Sequence, residues 1–227
     1  MKIFDNYDSV IFLDTETTGL DSINDRIIEL AAICIPKKDA LADEIHFDAF
    51  IKQSEPLPTS IVELAGITDE MLETGISEVE ALKEFGSFIK GRILLIAYNA
   101  QFDLKFLAHA IYRNKDKLPG LMTAFNNCDY LDPLTIYRDR HEYPHKLCDA
   151  IEMYSLVDMV KNSHRAIDDC LALQAILRKE KLEKDDIDKY INIFGFNKKY
   201  GCDKERFKKV TYMEQGYEPT VPLYEQI

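Results

Sequence analysis

Short apolar runs bounded by turn residues dominate the N-terminal part of the chain. Apolar positions at helical spacing dominate the rest. Ser9-Val10-Ile11-Phe12-Leu13 is a β-rich run that breaks into the polar stretch Asp14-Thr15-Glu16-Thr17-Thr18-Gly19. Arg26 to Ile35 reads as a second strand stopped by Pro36, and Glu44 to Ile51 as a third with partial alternation. Three successive strands with short links predict an antiparallel meander.

Helical patterns follow. Thr68-Asp69-Glu70-Met71 opens with a capping residue and first-turn acids. Ser77 to Lys90 places Val79, Leu82, Phe85 and Ile89 on one helical face before Gly91. Ile93 to Tyr98 is almost continuously apolar, as in a strand buried on both faces. Gln101 to Tyr112 reads as a helix with Phe102, Phe106, Leu107 and Ile111 inward, and Cys128 to Leu131 as a further strand. From Leu134 the pattern is mostly helical, with a long helix around His164 to Lys181. The fold class is therefore α/β, a mixed central sheet flanked by helices.

The pattern divides the chain into residues 1–182 and a C-terminal helix and basic tail over 183–227, packed on that unit. Gly195 to Val210 sets Lys198, Lys199, Lys204, Arg206, Lys208 and Lys209 against Asp203 and Glu205, a local net charge of about +4. Pro219 and Pro222 discourage regular structure beyond it.

Composition narrows the function classes. With 227 residues, 46% hydrophobic and 30% charged, the chain can bury a core without staples. No run approaches a bilayer span, and the N-terminus lacks a signal-peptide layout, so a cytoplasmic location is expected. Cys34, Cys128, Cys148, Cys170 and Cys202 show no CxxC spacing and are expected to be reduced thiols. A net charge of −12 excludes nucleic-acid binding through bulk charge, so any such surface must be local.

Three segments carry carboxylates that could do chemistry. Asp14 and Glu16 are i and i+2 at a strand's end and face one spot. Asp103 falls in the first turn of a helix. In the third segment, Ser163 to Cys170, two acids compete. At ~100° per residue, Asp168 points roughly 165° from the centre of the apolar face and Asp169 roughly 95°. Asp169 at the border is the candidate ligand, and Asp168 is expected in solvent. Four carboxylates and His164 would suit paired hard cations, with the histidine as a base.

Taken together and in order, these segments resemble the DEDDh family of 3′–5′ exonucleases. Asp14-Thr15-Glu16-Thr17-Thr18-Gly19-Leu20 is similar to its first motif, Asn99 to Asp103 to its N-x-x-F-D, and His164 to Asp169 to its H-x-x-x-x-D. Leu64 to Leu72 and His145-Lys146-Leu147 add to the likeness, which is nearest to the exonuclease domain of PolC-type DNA polymerase III and to the proofreading epsilon subunit.

The resemblance implies an RNase H-like fold, with residues 1–182 as the exonuclease domain, and two-metal hydrolysis by Mg²⁺ or Mn²⁺. It implies Asp14, Glu16, Asp103 and Asp169 as metal ligands and His164 as general base. Thr15, Thr17, Gly19, Leu20, Tyr98, Asn99 and Phe102 would bind the substrate, Leu20 as an apolar wedge. Tyr98 departs from the histidine that many relatives carry there.

The expected substrate is a single-stranded 3′ end, DNA in preference to RNA, in proofreading or repair, with a DNA polymerase as a possible partner and no membrane. Two alternatives stand beside it. One is an exoribonuclease that trims RNA or short oligonucleotides. The other is a catalytically silent module that docks on a polymerase.

Overall fold

The computed structural model describes residues 5–37, 44–161, 163–217 and 221–227. The N-terminal apolar run extends further than its composition suggests. Strand β1 spans Ser9–Thr17 and carries Asp14 and Glu16 within it. It pairs antiparallel with β2, Ile27–Pro36, and β2 pairs antiparallel with β3, Ile45–Phe50, which is the expected meander. Strands β4 (Ile93–Ile96) and β5 (Asp129–Leu131) join in parallel, giving the order β3-β2-β1-β4-β5.

Helices between the strands are α1 (Thr59–Ala65), α2 (Asp69–Glu73), α3 (Glu78–Phe88), α4 (Ala100–Arg113) and α5 (Leu121–Asn127). Beyond β5 come α6 (Pro133–Arg140), α7 (Leu147–Met153) and α8 (Ala166–Glu183). Local chemistry explains several starts. Thr68 accepts from the Met71 N–H, and Ser77 with Glu80 forms a reciprocal capping box, a feature of about 1 kcal/mol. The short α1 and α5 lie where no apolar period is long enough to be read.

The sheet separates two apolar layers. Ile11, Leu13 and Leu95 face Leu82 and Phe85 of α3, Leu104 and Leu107 of α4, and Phe125 of α5. Val10, Phe12, Ile33 and Leu94 face Ala166, Cys170, Leu173 and Leu177 of α8. Cys34, Cys128 and Cys170 are buried free thiols, and Cys148 and Cys202 are partly exposed free thiols.

The C-terminal region departs from the expected helix. Among the described residues, 184–227 contains no α-helix. It has 3₁₀ turns at Ile187–Tyr190 and Leu223–Glu225. It also has a parallel two-stranded sheet of β6 (Ile193–Phe196) and β7 (Thr211–Glu214). Tertiary hydrogen bonds hold it in place. The Gln215 amide donates to the Thr135 carbonyl and to Asp139, and the Leu223 N–H donates to Asp139. Pro219 lies outside the described residues, and Pro222 immediately precedes the last turn.

Candidate active site

Strand alternation aims Asp14 and Glu16 at the layer that α8 covers, the layer of Phe12. Helix α8 enters that layer with Asp169 in its first turn. One carboxylate oxygen from each of Asp14, Glu16 and Asp169 lies within 4.8 Å of the others. Asp169 is 8% exposed, and its Oδ1 is buried with no hydrogen-bond partner. An orphaned acceptor beside two further carboxylates fits a cation held by oxygen ligands.

Asp103 arrives from the opposite layer, in the first turn of α4. Its Oδ1 accepts from both the Thr15 N–H at 3.0 Å and the Thr15 hydroxyl at 2.7 Å. Thr15 therefore turns away from solvent and ties α4 to β1 between Asp14 and Glu16. Asp103 is not one of the three mutually close carboxylates.

The crowding is electrostatically costly without a counter-charge. Burial, followed by the charges of Asp103, Asp169, Glu16 and Glu29, holds the Asp14 carboxyl well above the usual range. Burial and Asp169 push Glu16 up to about 8. Burial raises Asp103 to about 7 against the Thr15 hydrogen bonds, and burial and Asp168 raise Asp169 to about 7.

The remaining expected residues fall into distinct environments. Leu20 is 86% exposed at the tip of the turn after β1. The Thr17 hydroxyl donates to the Gly19 carbonyl at 2.6 Å. A Cβ on Gly19 would lie 2.4 Å from the Asp25 carboxylate, so the close approach that requires glycine is to Asp25. Asn99 is exposed, with φ 61°, and its N–H donates to Asp132. Phe102 packs on Phe106 at 4.9 Å between centroids and is only partly buried.

The Tyr98 hydroxyl donates to the His145 carbonyl at 3.0 Å, a link an imidazole would not reproduce in the same way. His164 is exposed and holds φ 52°, two residues before α8. Asp168, expected in open solvent, is partly covered and accepts from the Ser163 hydroxyl.

Two residues at the site escaped the sequence reading. Glu29 stands opposite Glu16 in the β1–β2 register and is fully buried. Arg165 donates to it through Nε and Nη2, and the Ala166 N–H adds a third donor. The available signal was an acid inside the apolar run Ile27-Ile28-Glu29-Leu30-Ala31. Asp132 is the other, a buried acceptor for both the Asn99 and Leu134 N–H groups.

A five-stranded mixed sheet with helices on both faces and carboxylates gathered from β1, α4 and α8 defines an RNase H-like α/β fold of the nuclease type. The chain belongs to the exonuclease family, as a DEDDh-type 3′–5′ exonuclease domain related to PolC-type DNA polymerase III and to DNA polymerase III subunit epsilon. The family model, described as exonuclease, matches residues 11–177.

The chain is 33% identical over 204 residues to the PolC-type DNA polymerase III of Latilactobacillus sakei, covering 88% of this chain and 13% of the polymerase. It is 32% identical over 167 residues to DNA polymerase III subunit epsilon of Buchnera aphidicola, covering 71% of this chain and 68% of the subunit. Across the PolC-type polymerases it matches, the chain spans only 6% to 13% of their length. E. coli Exonuclease I in complex with a dA16 oligonucleotide shares the fold, with a TM-score of 0.67 at 19% identity over 80% of this chain and 42% of that one. No helix among the described residues is long and apolar enough to cross a membrane.

Proposed function

We propose that this chain is a metal-dependent 3′–5′ exonuclease that hydrolyses single-stranded DNA from its 3′ end to nucleoside 5′-monophosphates. The observation that carries this reading is the mutual approach of Asp14, Glu16 and Asp169 around the unpartnered Asp169 Oδ1. In this reading Asp14, Glu16, Asp103 and Asp169 hold two divalent ions, Mg²⁺ or Mn²⁺. When bound, such ions supply Lewis-acid charge and lower the pKa of water.

The protein's own side chains do the rest. His164 is the general base that accepts a proton from the attacking water. Its exposure leaves the ring free to swing toward a bound strand. Leu20, exposed on a turn whose base is tied by Thr17 and Gly19, wedges against the terminal base. Asn99 and Phe102 line the other side, and Tyr98 holds the backbone at His145 in position. Thr15 acts through Asp103, because its hydroxyl is already committed there.

Residues 1–182 form the catalytic unit in this proposal, and 183–227 an appended segment. The likeness to polymerase-associated proteins favours DNA over RNA and a DNA polymerase as partner. The test is Mn²⁺-dependent digestion of 3′- and 5′-labelled single-stranded DNA and RNA of one sequence, beside Asp14→Ala. Stepwise loss from the 3′ end, absent in the variant, is expected. No digestion of either strand with metal bound would overturn the reading.

A further inference from the structure

Helix α4 leaves the carboxylates at Asp103 and presents a stripe at Lys105, Ala108, His109 and Tyr112, all at least partly exposed. From Asp103 to Tyr112 the helix rises about 13 Å. Along this stripe lies a groove of about 840 Å³. Its opposite wall is the C-terminal segment Glu205 to Lys209, and Met122 and Tyr130 contribute apolar floor. Ile23, on the turn that also carries Leu20, is among its lining residues. The groove and the candidate active site thus share helix α4 and the turn after β1.

Its charge runs against that of the molecule, which carries −12. Lys105 forms an ion pair with Asp203 and His109 Nε2 a hydrogen bond with Glu205, each at 2.8 Å, and the two contacts fasten the C-terminal segment onto α4. The Gln101 amide adds a bond to the Glu205 carbonyl. Fastened in this way, the segment brings Arg206 and Lys208 to the groove, both exposed and neither in an ion pair among the described residues. Arg206 is held by the Asp203 carbonyl and lies over the Tyr212 ring. Tyr112, 60% exposed, offers an aromatic face on the helix side, with the Lys115 ammonium 4.5 Å from its ring. Exposed cations beside an apolar and aromatic lining match the two needs of a single strand, phosphate neutralisation and base stacking.

The geometry points to this groove as a second nucleic-acid tract, taking the single strand upstream of the 3′ end held at the carboxylates. It rests on the exonuclease reading for the strand's direction, and it gives the C-terminal segment a role in favouring long strands over short ones.

The test compares kcat/KM of the full chain on strands of about 4 and about 16 nucleotides. Lys208→Glu should reduce the long-to-short ratio about five-fold and flatten the salt dependence on the long strand by a slope of about 0.7. Tyr112→Ala should reduce the ratio by about five-fold or more. Lys90→Glu, the same charge change at an exposed position away from the groove, should leave the ratio alone.

An unchanged ratio in both Lys208→Glu and Tyr112→Ala overturns the tract. If the parent protein digests neither strand, the exonuclease reading fails by itself. The anisotropy of a labelled long strand then decides the groove, and equal affinity of parent and Lys208→Glu overturns it.

Discussion

Arg165 grips Glu29 through Nη2 at 2.7 Å and Nε at 2.9 Å, and so binds the residue before α8 to the strand opposite Glu16. Glu29 is fully buried, while the Arg165 side chain is 32% exposed and lies over the Phe50 ring. The pair therefore fixes where α8 begins, and with it the depth at which Asp169 sits. Removing one partner strands a buried charge, which costs about 3–5 kcal/mol. Arg165→Ala should lose stability of that order in urea unfolding and weaken Mn²⁺ affinity. Adding Glu29→Met to Arg165→Met should recover most of the stability without recovering the metal affinity. Equal metal affinity in parent and Arg165→Ala would show that the pair does not position Asp169.

The three close carboxylates yield a prediction separable from activity. Burial and the Asp169 charge both raise Asp14 and Glu16, so neutralising Asp169 relieves them. Asp169→Asn should raise the metal-free Tm by a few degrees and abolish the Tm gain on adding Mn²⁺. Asp14→Ala and Asp169→Ala should eliminate turnover with the fold retained in circular dichroism. Asp168→Ala should change turnover little, and His164→Ala should slow it by about 10²–10⁴. Loss of activity in Asp168→Ala with survival in Asp169→Ala would reverse the assignment of the third motif.

The parts of this molecule legible in the sequence were those with strong periodicity or an ordered set of motif residues. The meander could be read because β1 and β2 are buried on both faces and end at a glycine-bearing turn and a proline. Asp169 could be separated from Asp168 because helix geometry alone puts them on different faces.

The unreadable parts depend on tertiary partners. Helices α1 and α5 have seven residues each and no long apolar period. The β6–β7 pair is a parallel contact between segments with the charged loop between them, which no local pattern announces. Glu29 is an acid inside an apolar strand whose partner, Arg165, lies 136 residues away, so no local pattern shows the pair.

The same carboxylates set a pH dependence. The folded-state values of Glu16, Asp103 and Asp169, about 8, 7 and 7, lie above their unfolded values near 4. The metal-free folded protein therefore holds more protons than the unfolded chain between about pH 4 and 8, and its stability falls as pH rises through that window. Divalent cations bind the ionised forms and compete with those protons. The Tm gain produced by a fixed Mg²⁺ concentration should be small at pH 6 and larger at pH 8. A gain independent of pH over this interval would mean that these groups are already ionised in the metal-free protein.

Glu180 tests the same linkage far from the carboxylate cluster. It lies on α8, is 0% exposed, and neither side-chain oxygen has a hydrogen-bond partner. Burial holds its carboxyl well above the usual range, although the Arg140 charge acts the other way. Arg140 is already engaged by the Glu180 main-chain carbonyl and by Asp186. Because the folded-state value is raised, the ionisation of Glu180 contributes nothing below the unfolded value near 4.5 and destabilises increasingly as pH rises above it. Glu180→Met keeps the volume and removes the unsatisfied acid, so it should stabilise the fold by about 1–3 kcal/mol at pH 8. The gain should shrink at pH 4, where the carboxyl is neutral in both states. Urea unfolding of parent and variant at the two pH values measures it. A loss of stability at pH 8 would mean that Glu180 is ionised and held by Arg140.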